Sequence, residues 1–380
     1  MMVTEETQRQ VRTRLAMLGR SPTAEDIAEA LRALGHIVSD SAVLAVQDGI
    51  SRDSEGIGIL QPLLSIPGVT DILVNGPDQV FIDRGAGPER TCVQFEDDEA
   101  VRHLGVRLAA SVGRRLDDGS PFVDARLPNG VRFHAILSGI SYPGTCLSLR
   151  IPAAHHLSMD QWEARGGADP RSAQILRRMI EKKLAFLISG GTGSGKTTLM
   201  GALLSLVPPS ERIVIVEDSR ELEPEHGHTV WLESRPVNGE GAGLVTMTDL
   251  VRQALRMRPD RLVVGEVRGA ELRDLLQALN TGHEGGCGTI HANSVADLPA
   301  RLEALGALGG LSREATHAQA ASAIQVLVHV SRRSDAREVS QIGVMTREES
   351  GRIRAQVAWS RRGNQTQEGE GMAALMEVLS

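Results

Sequence analysis

The length, composition and charge of the chain exclude several classes of protein. Its 380 residues exceed one ordinary domain, which predicts two or three domains. A formal net charge of −7 and an aromatic content of 2% argue against direct nucleic-acid binding, because such binding uses surface cations and aromatic stacking. Without an apolar run of roughly 20 residues or a signal-peptide pattern, the sequence predicts a cytoplasmic protein.

Lysine and cysteine are both rare in the chain. Only Lys182, Lys183 and Lys196 are lysine among 41 basic residues, so positive charge is carried almost everywhere by arginine. A lysine can therefore mark a position where an ammonium group is needed. The cysteines follow neither a metal-ligand spacing nor a disulfide framework, which indicates reduced, structural cysteines and no structural zinc.

The segment 1–55 has the pattern of short helices. Residues 21–26 (Ser-Pro-Thr-Ala-Glu-Asp) form a helix start signal, and Ile27, Leu31 and Leu34 follow at helical spacing. No pattern typical of a catalytic site occurs in this segment.

Residues 56–151 predict a small α+β domain. Two pairs of short strands are separated by turn residues, which is the pattern of β-hairpins, and a helical pattern lies between the pairs. The strands are predicted at 71–74, 80–82, 122–127 and 131–137, and the helix at 99–112. The following segment, 152–170, mixes His, Gly, Pro and Asp without a sustained period, so we interpret it as an interdomain linker.

From residue 171 onward, strands and helices alternate. Short continuous apolar strands separated by helices indicate a parallel sheet that is covered on both faces. Strands are predicted at 184–188, 213–216, 262–264 and 324–330, and helices at 171–182, 248–257 and 270–279. The sequence therefore predicts an α/β domain over 171–380, including a C-terminal tail.

A phosphate-binding motif follows the first of these strands. Its residues fit the pattern G-x-x-x-x-G-K-[ST] and continue into a helix: Gly190, Gly191, Thr192, Gly193, Ser194, Gly195, Lys196, Thr197 and Thr198. The glycines let backbone N–H groups and the positive end of the helix face the phosphates. We expect Lys196 to lie between the β- and γ-phosphates and the Thr197 hydroxyl to bind Mg²⁺. The alternative is a glycine-rich turn without a ligand.

Two carboxylates follow apolar strands, at the edge where open parallel sheets bind their ligands. Glu217 follows the strand at 213–216, and Glu266 follows the strand at 262–264. Glu266 is predicted to bind Mg²⁺, directly or through water, or to act on the attacking water, and Glu217 is a candidate for the other role. The general base stays open between them, and the alternative for each is a solvated strand-end carboxylate.

Two histidines flank a glycine-rich stretch at 282–288. His283 lies near its start, and His291 follows the run from Gly286 to Ile290. We predict both as sensors of a γ-phosphate, because an imidazole donates a hydrogen bond without adding fixed charge. The alternative is that each is an ordinary core or surface histidine.

Four sequence boxes occur in the order typical of a known family. The Walker A loop at 190–197 is followed by an aspartate box at 217–222, a Walker B segment at 262–266 and a histidine box at 282–293. Over roughly residues 56–330 the chain resembles the traffic ATPases of type II and type IV secretion systems, in particular the branch that powers tight-adherence pili. The four-cysteine metal subdomain of the type II branch has no counterpart in the sequence.

The resemblance implies a hexameric ring of subunits. Each would have an N-terminal α+β domain joined by a linker to a RecA-like P-loop NTPase domain, with ATP and Mg²⁺ between the two domains. Arginines of the N-terminal domain would reach the phosphates, and the matching positions are Arg126 and Arg132, with Arg150 as a third candidate. The alternative is that these are hairpin surface residues. The implied partners are inner-membrane platform proteins, so the chain would be peripheral at the inner face of that membrane.

The leading hypothesis is an ATP-hydrolysing motor for pilus assembly or protein secretion. A GTP switch is disfavoured because its [NT]-K-x-D element needs a lysine, and none follows Lys196. A small-molecule kinase fits the long two-domain front half poorly. A motor of conjugal DNA transfer would share the ATPase chemistry, but the acidity and scarce aromatic residues weigh against direct DNA contact.

Overall fold

A computed structural model of the chain describes residues 11, 14, 23–36, 38, 39, 43, 56–151, 157–235, 237, 242–333, 336–363 and 365–380. By its internal contacts the chain divides into two compact units, Met1–Pro152 and Ala153–Ser380. Most of the N-terminal segment predicted as short helices, and residues 152–156 of the predicted linker, lie outside the described residues. The domain boundary at residue 55 stays a prediction.

A helix of the N-terminal segment, α1 (Ala24–Ala33), begins as the start signal predicts. The Thr23 hydroxyl accepts a hydrogen bond from the backbone N–H of Asp26, and the Asp26 carboxylate accepts one from the backbone N–H of Thr23. Ile27 and Leu31 are buried one turn apart on the same face. Within the described part of the segment, the predicted helix is confirmed.

Six strands of the first unit form an antiparallel sheet. They are β1 (Asp71–Asn75), β2 (Val80–Asp83), β3 (Pro88–Arg90), β4 (Phe122–Arg126), β5 (Arg132–Ile136) and β6 (Cys146–Arg150). Their spatial order is β3-β2-β1-β6-β5-β4, and every pairing is antiparallel. Both predicted hairpins are confirmed, as the pairs β1–β2 and β4–β5.

One face of this sheet is covered by helix α3. The helices of this part of the unit are α2 (Gln61–Leu64) and α3 (Asp98–Ser111). Leu104 and Leu108 of α3 are buried in the same hydrophobic cluster as Phe133 of β5 and Leu147 of β6. A Cβ at Gly105 would lie 3.1 Å from Leu147, so a glycine allows the helix to approach the sheet closely. Alternate residues of the strands therefore face away from this core.

The second unit is built on a nine-stranded sheet. Its strands are β7 (Phe186–Gly190), β8 (Ile213–Glu217), β9 (Thr229–Glu233), β10 (Arg261–Val267), β11 (Cys287–Ile290), β12 (Val326–Arg333), β13 (Ala336–Arg347), β14 (Ile353–Arg362) and β15 (Gln365–Glu368). The spatial order is β15-β14-β13-β12-β7-β11-β10-β8-β9. The strands from β12 to β9 in that order pair in parallel, and β13, β14 and β15 extend the sheet with antiparallel pairs.

Helices cover both faces of this sheet. They are α4 (Met159–Ala164), α5 (Pro170–Glu181), α6 (Lys196–Leu204), α7 (Met247–Ala254), α8 (Glu271–Leu279), α9 (Leu298–Leu308), α10 (Arg313–Ala323) and α11 (Met372–Leu379). On β7, Phe186 and Ile188 belong to one hydrophobic cluster and Leu187 to another, because successive side chains point to opposite faces. The predicted α/β class is confirmed. None of the described helices combines the length and apolar character needed to cross a membrane.

Residues 157–170, which belong to the predicted interdomain linker, contain helix α4. Ser158 caps this helix in a reciprocal pair of hydrogen bonds with Gln161. Met159 and Trp162 are buried in a hydrophobic cluster of the second unit. The sequence pattern did not indicate this helix, because a six-residue helix is too short to show a 3.6-residue period, and the assignment of 152–170 as an interdomain linker stays a prediction.

Candidate active site

The phosphate-binding motif connects the end of β7 to the start of α6, as the sequence predicts. Gly195 is the N-cap of α6 and has a φ of +99°, a conformation that favours glycine. A Cβ at Gly190 would lie 2.3 Å from the Val330 carbonyl oxygen, so no larger residue fits there. Thr197 and Thr198 lie in the first turn of α6, where the free backbone N–H groups of a helix are found.

Lys196 is buried at the base of this loop. Its Nζ donates hydrogen bonds to the carbonyl oxygens of Gly190, at 3.1 Å, and Gly191, at 2.9 Å. Burial lowers the pKa of Lys196, and the carboxylates of Glu266 and Glu221 oppose that shift. The ammonium group therefore lies at the Gly190 end of the loop and is close to two carboxylates.

Glu266 and His291 meet beside the loop, as the strand-end rule predicts. The distance from His291 Nε2 to Glu266 Oε1 is 3.4 Å, and both side chains are about one third exposed. Burial is the largest cause that lowers the pKa of His291, and the charge of Lys196 lowers it further. The imidazole is therefore neutral at neutral pH and can donate one hydrogen bond.

A cavity of about 440 Å³ opens at this position. It is lined by Gly190, Gly191, His291, Asn293, Asp297 and Arg301, among others. The Nε of Arg301 and the hydroxyl of Ser194 are buried, and neither has a hydrogen-bond partner among the described residues. This cavity is lined by P-loop glycines, His291 and Arg301, and it adjoins the Lys196 ammonium, which contacts Gly190 and Gly191, so it fits an anionic ligand such as a triphosphate. Arg301, on α9, was not identified from the sequence.

Glu217 is not among the residues that line this cavity, and its side chain binds the loop that follows it. Its carboxylate accepts hydrogen bonds from the backbone N–H groups of Glu221 and Leu222, at 3.1–3.3 Å. Burial raises the pKa of Glu217 to about 7, although these hydrogen bonds oppose the shift. Within the aspartate box it is Glu221, which sequence reasoning missed, whose charge acts on Lys196. These hydrogen bonds hold the Glu217 carboxylate against the backbone of its own loop.

Glu217 should make the stability of the fold depend on pH. Its pKa is raised from 4.5 to about 7, so the folded chain binds the proton more tightly than the unfolded chain. The stabilisation is complete below about pH 4.5 and is lost as pH rises through 7, a total of about 3 kcal/mol. We expect Glu217→Gln to remove this decline, which denaturant unfolding at pH 5 and pH 8.5 measures. Parallel pH profiles for the variant and the parent would contradict the burial of this carboxyl group.

Comparison with known proteins identifies the family of this chain. Residues 53–380 match the model of a family described as type II/IV secretion system protein. A protein of Mycobacterium tuberculosis named for conjugal transfer is 52% identical over 332 residues, which cover 85% of this chain and 94% of that protein. The chain belongs to the type II/IV secretion system protein family.

Two further proteins are similar to this chain. The type IV secretion system protein PtlH of Bordetella pertussis is 37% identical over 258 residues, which cover 62% of this chain and 76% of PtlH. The structure of the pilus retraction motor PilT with bound ADP has a TM-score of 0.54 at 18% identity and covers 85% of each chain. The similarity to PilT establishes a shared fold.

His283, the first histidine of the histidine box, lies away from the P-loop. β11 and β7 are parallel, with Cys287 opposite Phe186, and the P-loop follows the C-terminal end of β7. His283 precedes β11 and therefore lies at the opposite edge of the sheet, where its Nδ1 is 3.2 Å from the Ala278 carbonyl oxygen. Ligands of an open parallel sheet bind at the edge where the strands end, and His283 precedes its strand. His283 is therefore too far from the P-loop to contact a γ-phosphate in its own chain.

Another histidine, His329, lies directly behind the P-loop. It is opposite Ser189 in the β12–β7 register, and its Nδ1 is 3.0 Å from the Ser189 hydroxyl. The side chain is buried, and burial lowers its pKa. Sequence reasoning missed His329 because it lies within a run that is otherwise apolar, where a buried strand shows no polar pattern.

The three predicted arginines lie in one row on the sheet of the first unit. Arg126 is directly opposite Arg132, and Arg132 is directly opposite Arg150. Arg150 also forms an ion pair with Asp71, at 3.0 Å. Directly opposed residues share a face, and like charges in such pairs are destabilising. We call Arg126, Arg132 and Arg150 the arginine row.

Proposed function

We propose that this chain hydrolyses ATP as a subunit of a hexameric motor that powers pilus assembly or protein secretion across the inner membrane. The observation that supports this most is that Lys196, Glu266 and His291 lie close together beside the P-loop, next to the cavity that His291 lines. A cation at the phosphates and a carboxylate near the attacking water are groups that catalyse phosphoryl transfer to water, and a neutral imidazole adds a hydrogen-bond donor.

Each group has a distinct task in this proposal. Lys196 and the N–H groups of the loop bind the β- and γ-phosphates, while Thr197 and, through water, Glu266 would hold Mg²⁺, which neutralises phosphate charge when bound. Glu266 accepts the proton of the attacking water, since Glu217 is occupied by backbone N–H groups. His291 donates its N–H to a γ-phosphate oxygen. Because the pKa of His291 is lowered, its imidazole is neutral and places no second positive charge beside Lys196.

The arginine row completes the site in this proposal. By resemblance to the family, Arg126, Arg132 and Arg150 approach the phosphates and stabilise the charge that develops during transfer. A site that needs groups from a mobile domain or a neighbouring subunit is incomplete in a lone chain. We therefore infer slow, Mg²⁺-dependent hydrolysis that requires assembly, at the cytoplasmic face of the inner membrane and together with platform proteins there.

Mixing two impaired variants tests whether chains share the site. Lys196→Ala lacks the phosphate-binding ammonium and should hydrolyse ATP at least about a hundredfold more slowly, and Arg132→Gln lacks the central charge of the arginine row and should be at least about tenfold slower. If the row acts on a neighbouring chain, an equimolar mixture regains activity, because some sites combine an intact Lys196 with an intact Arg132. A mixture no more active than its components would contradict a site shared between chains.

A second candidate function is the motor of conjugal DNA transfer. It is favoured by the relative that is named for conjugal transfer and is 52% identical to this chain. The net charge of −7 opposes direct DNA contact, and the resemblance to the tight-adherence branch favours a pilus. Measuring ATP hydrolysis with DNA and with an inner-membrane platform protein separates the two. Stimulation by DNA alone would support conjugation over pilus assembly.

A further inference from the structure

The last glycine of the P-loop lies against two side chains that the proposed mechanism does not use. A Cβ at Gly195 would lie 2.9 Å from the Cδ of Arg337 and 3.1 Å from the ring of Trp162. Arg337 is on β13, and Trp162 is on α4. Two elements that are distant in sequence therefore meet where the loop becomes helix α6.

Arg337 and Trp162 differ in how the fold uses them. Trp162 is 2% exposed, and a Cβ at Gly167 would lie 2.5 Å from its Nε1, so the indole is fixed in the core. Arg337 is exposed, and in the part of the chain that the structure describes its guanidinium has no hydrogen-bond or ion-pair partner. The fold packs the aliphatic stem of Arg337 but leaves the charged, planar end available to a ligand.

The position of Arg337 along the loop identifies the part of a nucleotide that it faces. Lys196 Nζ contacts the carbonyl oxygens of Gly190 and Gly191, so the β- and γ-phosphates that a P-loop lysine binds belong at that end. Gly195 lies at the opposite end of the loop. The α-phosphate and the nucleoside therefore lie on the side of Arg337.

Composition indicates which of these two groups the guanidinium contacts. Proteins commonly hold a base by stacking it on a flat aromatic ring, and the whole chain has only five Phe, three Trp and one Tyr. The aromatic ring that adjoins Gly195 belongs to Trp162, and its burial prevents stacking with a ligand. A planar guanidinium also stacks on a base, which a lysine ammonium cannot do.

We propose that Arg337 stacks on the base of the bound nucleotide and gives the site its preference for a nucleotide over inorganic polyphosphate. This inference rests on the proposed ATP site and adds the contact that recognises the base. The P-loop and Lys196 hold the phosphates without reference to the base. Arg337 supplies a separate contribution that only a ligand with a base receives.

The substitution Arg337→Lys tests this proposal because it keeps the positive charge and removes the planar guanidinium group. We expect the Kd for Mg²⁺-ATP to rise about tenfold, as the loss of one stacking contact predicts, while the Kd for Mg²⁺-tripolyphosphate stays unchanged. Titration calorimetry measures both. Arg337→Met, which keeps the apolar stem against Gly195, should give the same result. Arg347→Lys, at the other end of β13, is the matched control and should change neither Kd.

Two results would overturn the base contact. Unchanged ATP binding in both Arg337 variants would show that the side chain does not touch the nucleotide. Equal weakening of ATP and tripolyphosphate in Arg337→Met, with neither weakened in Arg337→Lys, would show a charge contact to phosphate instead. Failure of the ATP site itself is distinguishable, because Lys196→Ala would then leave the binding of both ligands intact, whatever the Arg337 variants show.

Discussion

Replacing Lys196 with alanine should lower the rate of ATP hydrolysis at least about a hundredfold and leave the fold intact. The ammonium is the buried cation at the end of the loop that receives the β- and γ-phosphates, and a preorganised charge in such a site contributes about 3 kcal/mol or more to the transition state. Burial already disfavours the charged form of Lys196, so removing it should cost the fold little. Steady-state ATPase assays and thermal unfolding measure the two quantities.

Lys182 offers a matched control, because it is one of the three lysines and ends α5 at the opposite edge of the sheet. We expect Lys182→Ala to hydrolyse ATP at the rate of the parent chain. Normal ATP hydrolysis by Lys196→Ala would show that the active site lies elsewhere in the chain. A large drop in the melting temperature of Lys196→Ala would mean that the lysine serves the fold, and Lys196→Met would then be needed to separate the two effects.

Local signals in the sequence predicted much of the fold. The β4–β5 hairpin followed from the Pro128-Asn129-Gly130 turn, and the P-loop followed from its glycine spacing between an apolar strand and a helix. Helix α4 and the strands β13–β15 were missed. α4 is shorter than two turns, and the strands β13–β15 mix arginines with apolar residues, so their pairing with β12 depends on tertiary contacts rather than on a continuous apolar pattern.

The sequence predicted those residues of the candidate site that directly follow a parallel strand. Glu266 and His291 follow parallel strands and meet at 3.4 Å, because the carboxyl ends of neighbouring parallel strands share an edge. The same rule also predicted Glu217. Its carboxylate is instead buried and accepts hydrogen bonds from two backbone N–H groups of the loop that follows it. Only three-dimensional structure shows that Arg301, on a helix, lines the cavity and that Arg337, on an antiparallel strand, contacts the P-loop.

Glu266→Gln should separate binding from chemistry. Glutamine keeps the size of the side chain and loses its negative charge and its basicity, so the attacking water is no longer deprotonated. A general base typically contributes a factor of 10² to 10⁴, and we expect kcat to fall by about a thousandfold. ATP binding should be retained or tightened, since one carboxylate fewer faces the triphosphate beside Lys196. Single-turnover hydrolysis and equilibrium binding of ATP measure the two effects separately.

The decisive comparison is with the two other carboxylates of the region. Glu217→Gln keeps a side-chain oxygen that accepts the N–H groups of Glu221 and Leu222, so kcat should fall far less than in Glu266→Gln. Glu221→Gln removes the other negative charge that acts on Lys196 and shows how much of the loss is electrostatic. If Glu217→Gln abolished single-turnover hydrolysis while Glu266→Gln preserved it, the proton acceptor would be Glu217, and its pKa of about 7 would then have a catalytic meaning.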